Sequence, residues 1–174
     1  ERGSWGYLAG TLEEASNVYT QMSSFGISCN LLSDVAANEE SFKNLNGNSP
    51  KVLHIATHGF FLSNPKEIET NTFLNKANTH SSLSGQILNR AGLLFAGANR
   101  AWSGREAIPG IDDGILTANE ISNLNLSSTD MVVLSACETG LGVDGASEGV
   151  FGLQRAFKLA GVNTILMSLW KVPD

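Results

Sequence analysis

Hydrophobic positions change period several times along the chain, and each change marks an element. Leu12, Ala15, Val18, Tyr19, Met22 and Phe25 recur at the spacing of one helix face. Thr11 and Glu14 flank the start of that run in the capping-box relation, and Gly26 offers a left-handed stop. A helix from about Thr11 to Gly26 is predicted. Residues 27–32 read as a strand, 37–45 as a short helix and 46–50 ("NGNSP") as a turn. Val52–Ala56 is an apolar run broken only by His54, as expected of a strand covered on both faces.

Periodicity vanishes over 63–90, where Asn, Ser and Thr dominate; this predicts a long polar surface insertion. "GLLFAGA" at 92–98 is strand-like, and a polar, Gly-rich stretch, "SGREAIPGIDDG", follows it. Together these place the insertion within 63–112. Thr117 and Glu120 form a second capping-box pattern, opening a helix to about Leu124. Residues 131–136 read as another buried strand. Val150, Phe151, Leu153, Ala156, Phe157 and Ala160 mark an amphipathic helix over 148–160, closed by Gly161, and 164–170 read as a final strand. Strands alternating with helices predict a single α/β domain with a mostly parallel sheet flanked by helices.

Composition narrows the field. The 174 residues are 42% hydrophobic, enough for one domain with a real core. Lys+Arg number 11 against 17 Asp+Glu, a formal net charge of -6 without any basic stripe, so nucleic acid is not an expected partner. No apolar stretch approaches the roughly 20 residues of a membrane-spanning helix, so no membrane partner is expected. The opening "ERGSWGYLAG" has no initiator Met and no signal-peptide core, and reads as a cut from a longer protein. Two cysteines, Cys29 and Cys137, do not make a disulfide scaffold at this length, which favours a reduced, cytoplasmic setting.

Three constellations carry candidate chemistry. "GLGVDG" at 140–145 satisfies G-x-G-x-x-G, but Cys137, Glu138 and Thr139 separate it from its strand. The acidic residue due about 20 positions on would fall in an apolar strand. A dinucleotide site is rejected. His54 and His58 with Cys137 could begin a zinc site, yet no C-x-x-C or further His-rich element completes a tetrahedron. No metal and no cofactor are expected, and His54 reads as a satisfied core histidine.

The third constellation is His58 with Cys137. Each follows an apolar strand, each is followed by glycine within three residues, and each sits at its strand's C-terminal end. A lone cysteine there is most often a buried small hydrophobe. In open parallel sheets, however, sites form outside those ends, and neighbouring strands lie about 5 Å apart. Adjacent strands would set the imidazole beside the thiol, ready to take its proton and stabilise the attacking thiolate. Gly59, without a side chain, would let a backbone N–H reach a developing oxyanion.

At these residues the sequence resembles the CHAT family, caspase-like domains often found beside tetratricopeptide repeats and related to separases. The matching stretches are "HIATHG" at 54–59, "DGILTANEI" at 113–121, "VVLSACETGLG" at 132–142, "GVFGLQRAFKLAGV" at 149–162 and "SLWKVPD" at 168–174. The resemblance implies the caspase–haemoglobinase fold and a cysteine endopeptidase with a Cys–His dyad. His58 takes the family's histidine, Cys137 the nucleophile, and Gly59 with Cys137 the oxyanion-hole amides. In separase-like relatives the acid of the "LW…D" motif lines the pocket for the residue before the cut. The resemblance thus implies cleavage of a protein or peptide after Arg or Lys, with Asp174 selecting the cation, Trp170 walling the pocket, and Asp113 or Asp112 in reserve. A regulatory tetratricopeptide domain is an implied partner. Two departures stand out. His58 and Cys137 are 79 residues apart (137 − 58), against a caspase spacing of about 50. The family's first core strand and the helices after "SLWKVPD" are missing. The rival reading, from another class, is a non-hydrolytic caspase-like scaffold or interaction module.

Overall fold

The computed structural model of the chain describes residues 4–62, 88–106, 108–136 and 146–167. Its elements run α1 (Ala9–Ser24), α2 (Glu39–Lys43), β1 (Val52–Ala56), β2 (His58–Phe61), β3 (Ala91–Leu94), α3 (Ala98–Trp102), β4 (Ile115–Thr117), α4 (Ala118–Ser122), β5 (Met131–Ser135), α5 (Ala146–Leu159) and β6 (Thr164–Met167). The fold is α/β, as expected, with a parallel sheet flanked by helices and compatible with the caspase-like architecture.

The strands divide between two sheets. β1, β5 and β6 form a parallel sheet in the order β1-β5-β6, and β2, β3 and β4 an antiparallel one in the order β2-β3-β4. The chain passes from the first sheet to the second through Thr57 alone. Thr57 is anchored both ways: its N–H donates to the Ser135 carbonyl (3.1 Å), and its hydroxyl donates to the Leu94 carbonyl. The expectation of one mostly parallel sheet is thereby corrected. "HGFF" continues the apolar run but changes partner, and periodicity cannot register such a change.

The antiparallel sheet is buried on both faces. Phe61, Ala91, Leu93 and Leu116 join the main core beneath α5, with Ile55, Val132, Leu134, Leu153, Ala156 and Phe157. Phe60, Leu62, Leu94 and Ile115 join a second cluster with Ala98, Ala101 and Trp102, onto which Trp5 packs. The alternation along β2 sets its even positions toward the second cluster. Residues 63–87, half of the expected 63–112 insertion, lie outside the described residues. Within the rest of that range Leu88, Leu93 and Trp102 are buried.

Three local expectations are corrected. α1 begins at Ala9 with Leu8 at its N-cap and no side-chain cap, so Thr11 and Glu14 form no capping box. Thr11 instead bonds back to the Leu8 carbonyl (2.8 Å), and Glu14 turns toward the sheet. Residues 27–32 form no strand, because β1 pairs only with β5 among the described residues and no ladder reaches them. The 37–45 helix shortens to α2, capped by Asn38, whose side chain accepts from the Ser41 N–H (2.9 Å). The second capping box is present in full. Thr117 accepts from the Glu120 N–H, and Glu120 accepts from the Thr117 N–H (2.9 Å). No helix among the described residues is long and apolar enough to cross a membrane.

Candidate active site

The parallel register aligns two strand ends. Ala56 is the partner of Ser135, so His58 and Cys137 each stand two positions past the same register pair. Cys137 itself lies outside the described residues, as do Trp170 and Asp174. The described chain reaches Ala136, and there the two segments meet: a Cβ placed on Gly59 would lie 3.7 Å from the Cβ of Ala136. The residue after His58 thus packs against the residue before Cys137.

His58 opens β2 on the side of the second apolar cluster. Its ring tilts against Trp5, with centroids 5.0 Å apart, and Nε2 lies 2.7 Å from the Gly6 carbonyl oxygen. A carbonyl only accepts, so Nε2 carries the proton. In the neutral ring Nδ1 is then the acceptor. It is shut off from solvent and has no partner among the described residues. A buried, unpartnered ring nitrogen costs about 1–3 kcal/mol, and such a group calls for an explanation.

Gly59 offers an amide. The Leu62 N–H donates to the Arg90 carbonyl (2.8 Å), which sets the parity of the β2–β3 ladder. Residues 58, 60 and 62 bond to β3, so the N–H of Gly59 faces away from the ladder.

Asp113 sits in the loop before β4. Because His58, Leu94 and Ile115 are consecutive register partners, this loop meets the same end of the antiparallel sheet as His58, with β3 between them. The Asp113 carboxylate accepts from the Ile115 N–H (2.9 Å), and burial raises its pKa. A cluster built around α2 holds this loop. Buried Glu39 accepts from the Gly114 N–H (2.8 Å), Glu40 accepts from the Asp112 N–H (2.7 Å), and Lys43 pairs with Glu39 (2.6 Å), Asp112 (3.2 Å) and Glu120 (3.2 Å). Burial pushes Glu39 up to about 7. Burial works against the charge on Lys43, but Glu39 and Glu120 outweigh it and raise its pKa. Glu40 is held below the usual carboxylate range by its own N–H and that of Asp112.

His54 proves to be a satisfied histidine. Its Nε2 lies 2.8 Å from Glu14 Oε1, and the other Glu14 oxygen accepts from the Ser135 hydroxyl (2.9 Å). One carboxylate on α1 thereby ties the helix to both β1 and β5. Among the described residues no group of three metal-ligating side chains gathers.

Trp5, Gly6 and Asn99 around His58 were invisible to sequence reasoning. The short opening segment has no periodicity, and its contacts span 52 residues to His58 and 94 to Asn99.

A parallel sheet flanked by helices, joined through one residue to a small antiparallel sheet that opens with His58, makes an α/β domain compatible with the caspase-like architecture. The CHAT domain profile matches residues 1–174, the whole chain, and the chain belongs to the CHAT domain family. That family is associated with caspase-like cysteine peptidases. No curated protein and no solved structure matches the chain.

Proposed function

We propose that this chain is the catalytic domain of a cysteine endopeptidase, with Cys137 as nucleophile and His58 as base and then acid. The observation that carries the reading is the His58 ring: Nε2–H is taken by the Gly6 carbonyl, and Nδ1 is left as a buried acceptor with no partner among the described residues. A thiol is the partner the sequence supplies, two positions past Ser135 as His58 is past Ala56.

The steps balance. Nδ1 takes the thiol proton, and Sγ attacks the scissile carbonyl carbon, whose oxygen becomes the oxyanion. The N–H of Gly59, free of the ladder, and that of Cys137 are assigned to that oxygen. Collapse expels the amine, which takes the proton from Nδ1, and an acyl thioester remains. Water, giving its proton to Nδ1, then attacks the thioester; collapse expels Sγ, which takes that proton back as the thiol, and the acid is released. Asp174 is assigned to the pocket for the residue before the cut, where a carboxylate would take an Arg guanidinium in a bidentate grip. Trp170 is assigned to the wall of that pocket. Asp113 is the second choice for the charge, since its carboxylate already serves the turn before β4. A tetratricopeptide domain, in the same or another chain, is the regulatory partner in this reading, and the cytoplasm the site of action.

The test is hydrolysis of fluorogenic Arg- and Lys-terminated peptides by the protein and by its Cys137→Ala form. Cleavage lost in the variant supports the assignment. No cleavage by either, together with a Cys137 that reacts no faster than Cys29, would identify the domain as a non-hydrolytic interaction module.

A further inference from the structure

What holds the Gly6 carbonyl on His58 is not obvious from the segment itself. Residues 4–8 belong to no helix or strand, Gly6 is exposed, and nothing lies within 4 Å of where its Cβ would be. The anchor is one residue earlier. The Trp5 N–H donates to Asn99 Oδ1 (2.8 Å), and Asn99 Nδ2 donates to the Trp5 carbonyl (2.9 Å). Both main-chain polar groups of Trp5 are therefore clasped by one side-chain amide. The amide can close both bonds because its tip carries a donor and an acceptor side by side. The same helix grips the Trp5 ring. Trp102, three residues after Asn99 on α3 and so on the same face, meets Trp5 edge-on with centroids 5.2 Å apart. Trp102 is in turn packed edge-on against Phe60 of β2 (5.4 Å).

We infer that Asn99 is a positioning residue for His58: by clasping Trp5 from both sides, it sets the Gly6 carbonyl on Nε2 and so keeps the imidazole in the tautomer whose Nδ1 accepts a proton. It acts through Gly6 and touches neither substrate nor Cys137 in this reading. The effect on peptide cleavage rests on the dyad proposed above. The effect on the ring does not, because the Gly6 contact exists whatever Cys137 does. Asn99 is exposed and belongs to neither core cluster, so its replacement removes the clasp without opening a cavity in either.

The experiment combines two measurements on the whole chain. In protein carrying ¹⁵N-labelled histidine, the His58 ring should show a predominant Nε2–H tautomer at pH 8, and its Nε2 proton should show a nuclear Overhauser contact to the Gly6 α-protons. In Asn99→Leu, similar in size but with neither bond, that contact should vanish and the tautomers should mix, while His54 keeps its spectrum. The second measurement is alkylation of Cys137 by iodoacetamide, with Cys29 as the internal reference. Displacing a reacting group by about 1 Å costs up to about 10²-fold in rate, so Asn99→Leu should slow Cys137 by roughly ten- to a hundred-fold and leave Cys29 unchanged. Should the contact to Gly6 be absent in the unmodified protein, the inference is overturned without any variant. An unchanged His58 spectrum in a folded Asn99→Leu overturns it equally. If the spectrum changes but His58→Ala leaves Cys137 alkylation untouched, the clasp stands and the dyad falls. If His58→Ala slows Cys137 and Asn99→Leu does not, the dyad stands and the inference falls.

Discussion

Ala56 and Ser135 are register partners at the C-terminal ends of β1 and β5, and the chain leaves both strands on the same edge of the parallel sheet. Beyond them Thr57 still donates to the Ser135 carbonyl at 3.1 Å, which extends the pairing by one more residue. Glu14 braces this edge from the helical side by holding His54 and Ser135 together. The strand ends that precede His58 and Cys137 in the sequence are therefore fixed from two directions.

On the proposed dyad, Cys137 should alkylate faster than Cys29 at neutral pH, because an imidazole acceptor raises the thiolate fraction. Cys29 lies in the 27–32 segment outside any helix or strand, and its Sγ is 3.4 Å from the Ile27 carbonyl oxygen. His58→Ala should slow Cys137 and leave Cys29 alone. Proton-transfer help is worth about 10²–10⁴ in rate, so mass-spectrometric labelling has ample range. Equal rates at the two cysteines would sink the pairing.

The proposed specificity pocket has two candidate carboxylates, which substitution separates. Asp174→Ala should lower turnover of Arg-terminated peptides by about a hundredfold or more while iodoacetamide still labels Cys137, since an unpaired guanidinium in a partly dry pocket is strongly disfavoured. Asp113→Ala should instead cost about 1 kcal/mol of stability through the lost bond to the Ile115 N–H, with turnover preserved. Interchanged results would move the pocket to the loop before β4. Peptides with an apolar residue at that position cleaved as well as Arg peptides would remove the acidic pocket altogether.

Glu39 makes stability depend on pH. Its pKa rises from 4.5 to about 7 on folding, chiefly through burial. Between those values the unfolded chain releases a proton that the folded chain keeps, so stability falls as pH rises through this window and levels off above it. The upper bound on the loss is about 3 kcal/mol. In Glu39→Gln this slope should shrink, as urea unfolding at pH 5 and pH 7.5 would reveal. The same slope in both proteins would mean that Lys43 keeps Glu39 ionised throughout.

Two glycines allow backbone strain to be told from a clash. Gly114 has φ +81, and a Cβ there would meet the Ala98 backbone N at 2.5 Å; Gly97 has φ +96, with nothing within 4 Å. Left-handed backbone at a residue other than glycine costs about 1–3 kcal/mol, and Gly114→Ala adds a clash with backbone that cannot swing away. Gly114→Ala should therefore lose clearly more stability than Gly97→Ala in thermal unfolding, and comparable losses would show that the α3 turn yields.

The sequence by itself determined whatever depends on near neighbours. The apolar runs at Val52–Ala56 and Met131–Ser135, the helical face from Leu153 to Ala160 and the Thr117–Glu120 capping box all formed where their patterns place them. Burial on a strand or helix leaves a period, and a cap needs only two residues three apart. The motifs around His58 and Cys137, and with them the family, were legible for the same reason. Tertiary structure decided what depends on a partner. Residues 27–32 have strand-like composition but no ladder to join, and Glu14 left its capping pattern for His54, forty residues away. The run through Thr57 looked like one strand end and became a passage between two sheets, because the hydrogen-bond partner changes there while hydrophobicity does not. Asn99 reaches Trp5 across ninety-four positions, and no local pattern foreshadows that clasp. Periodicity records that a side chain is buried; only the folded chain records against what.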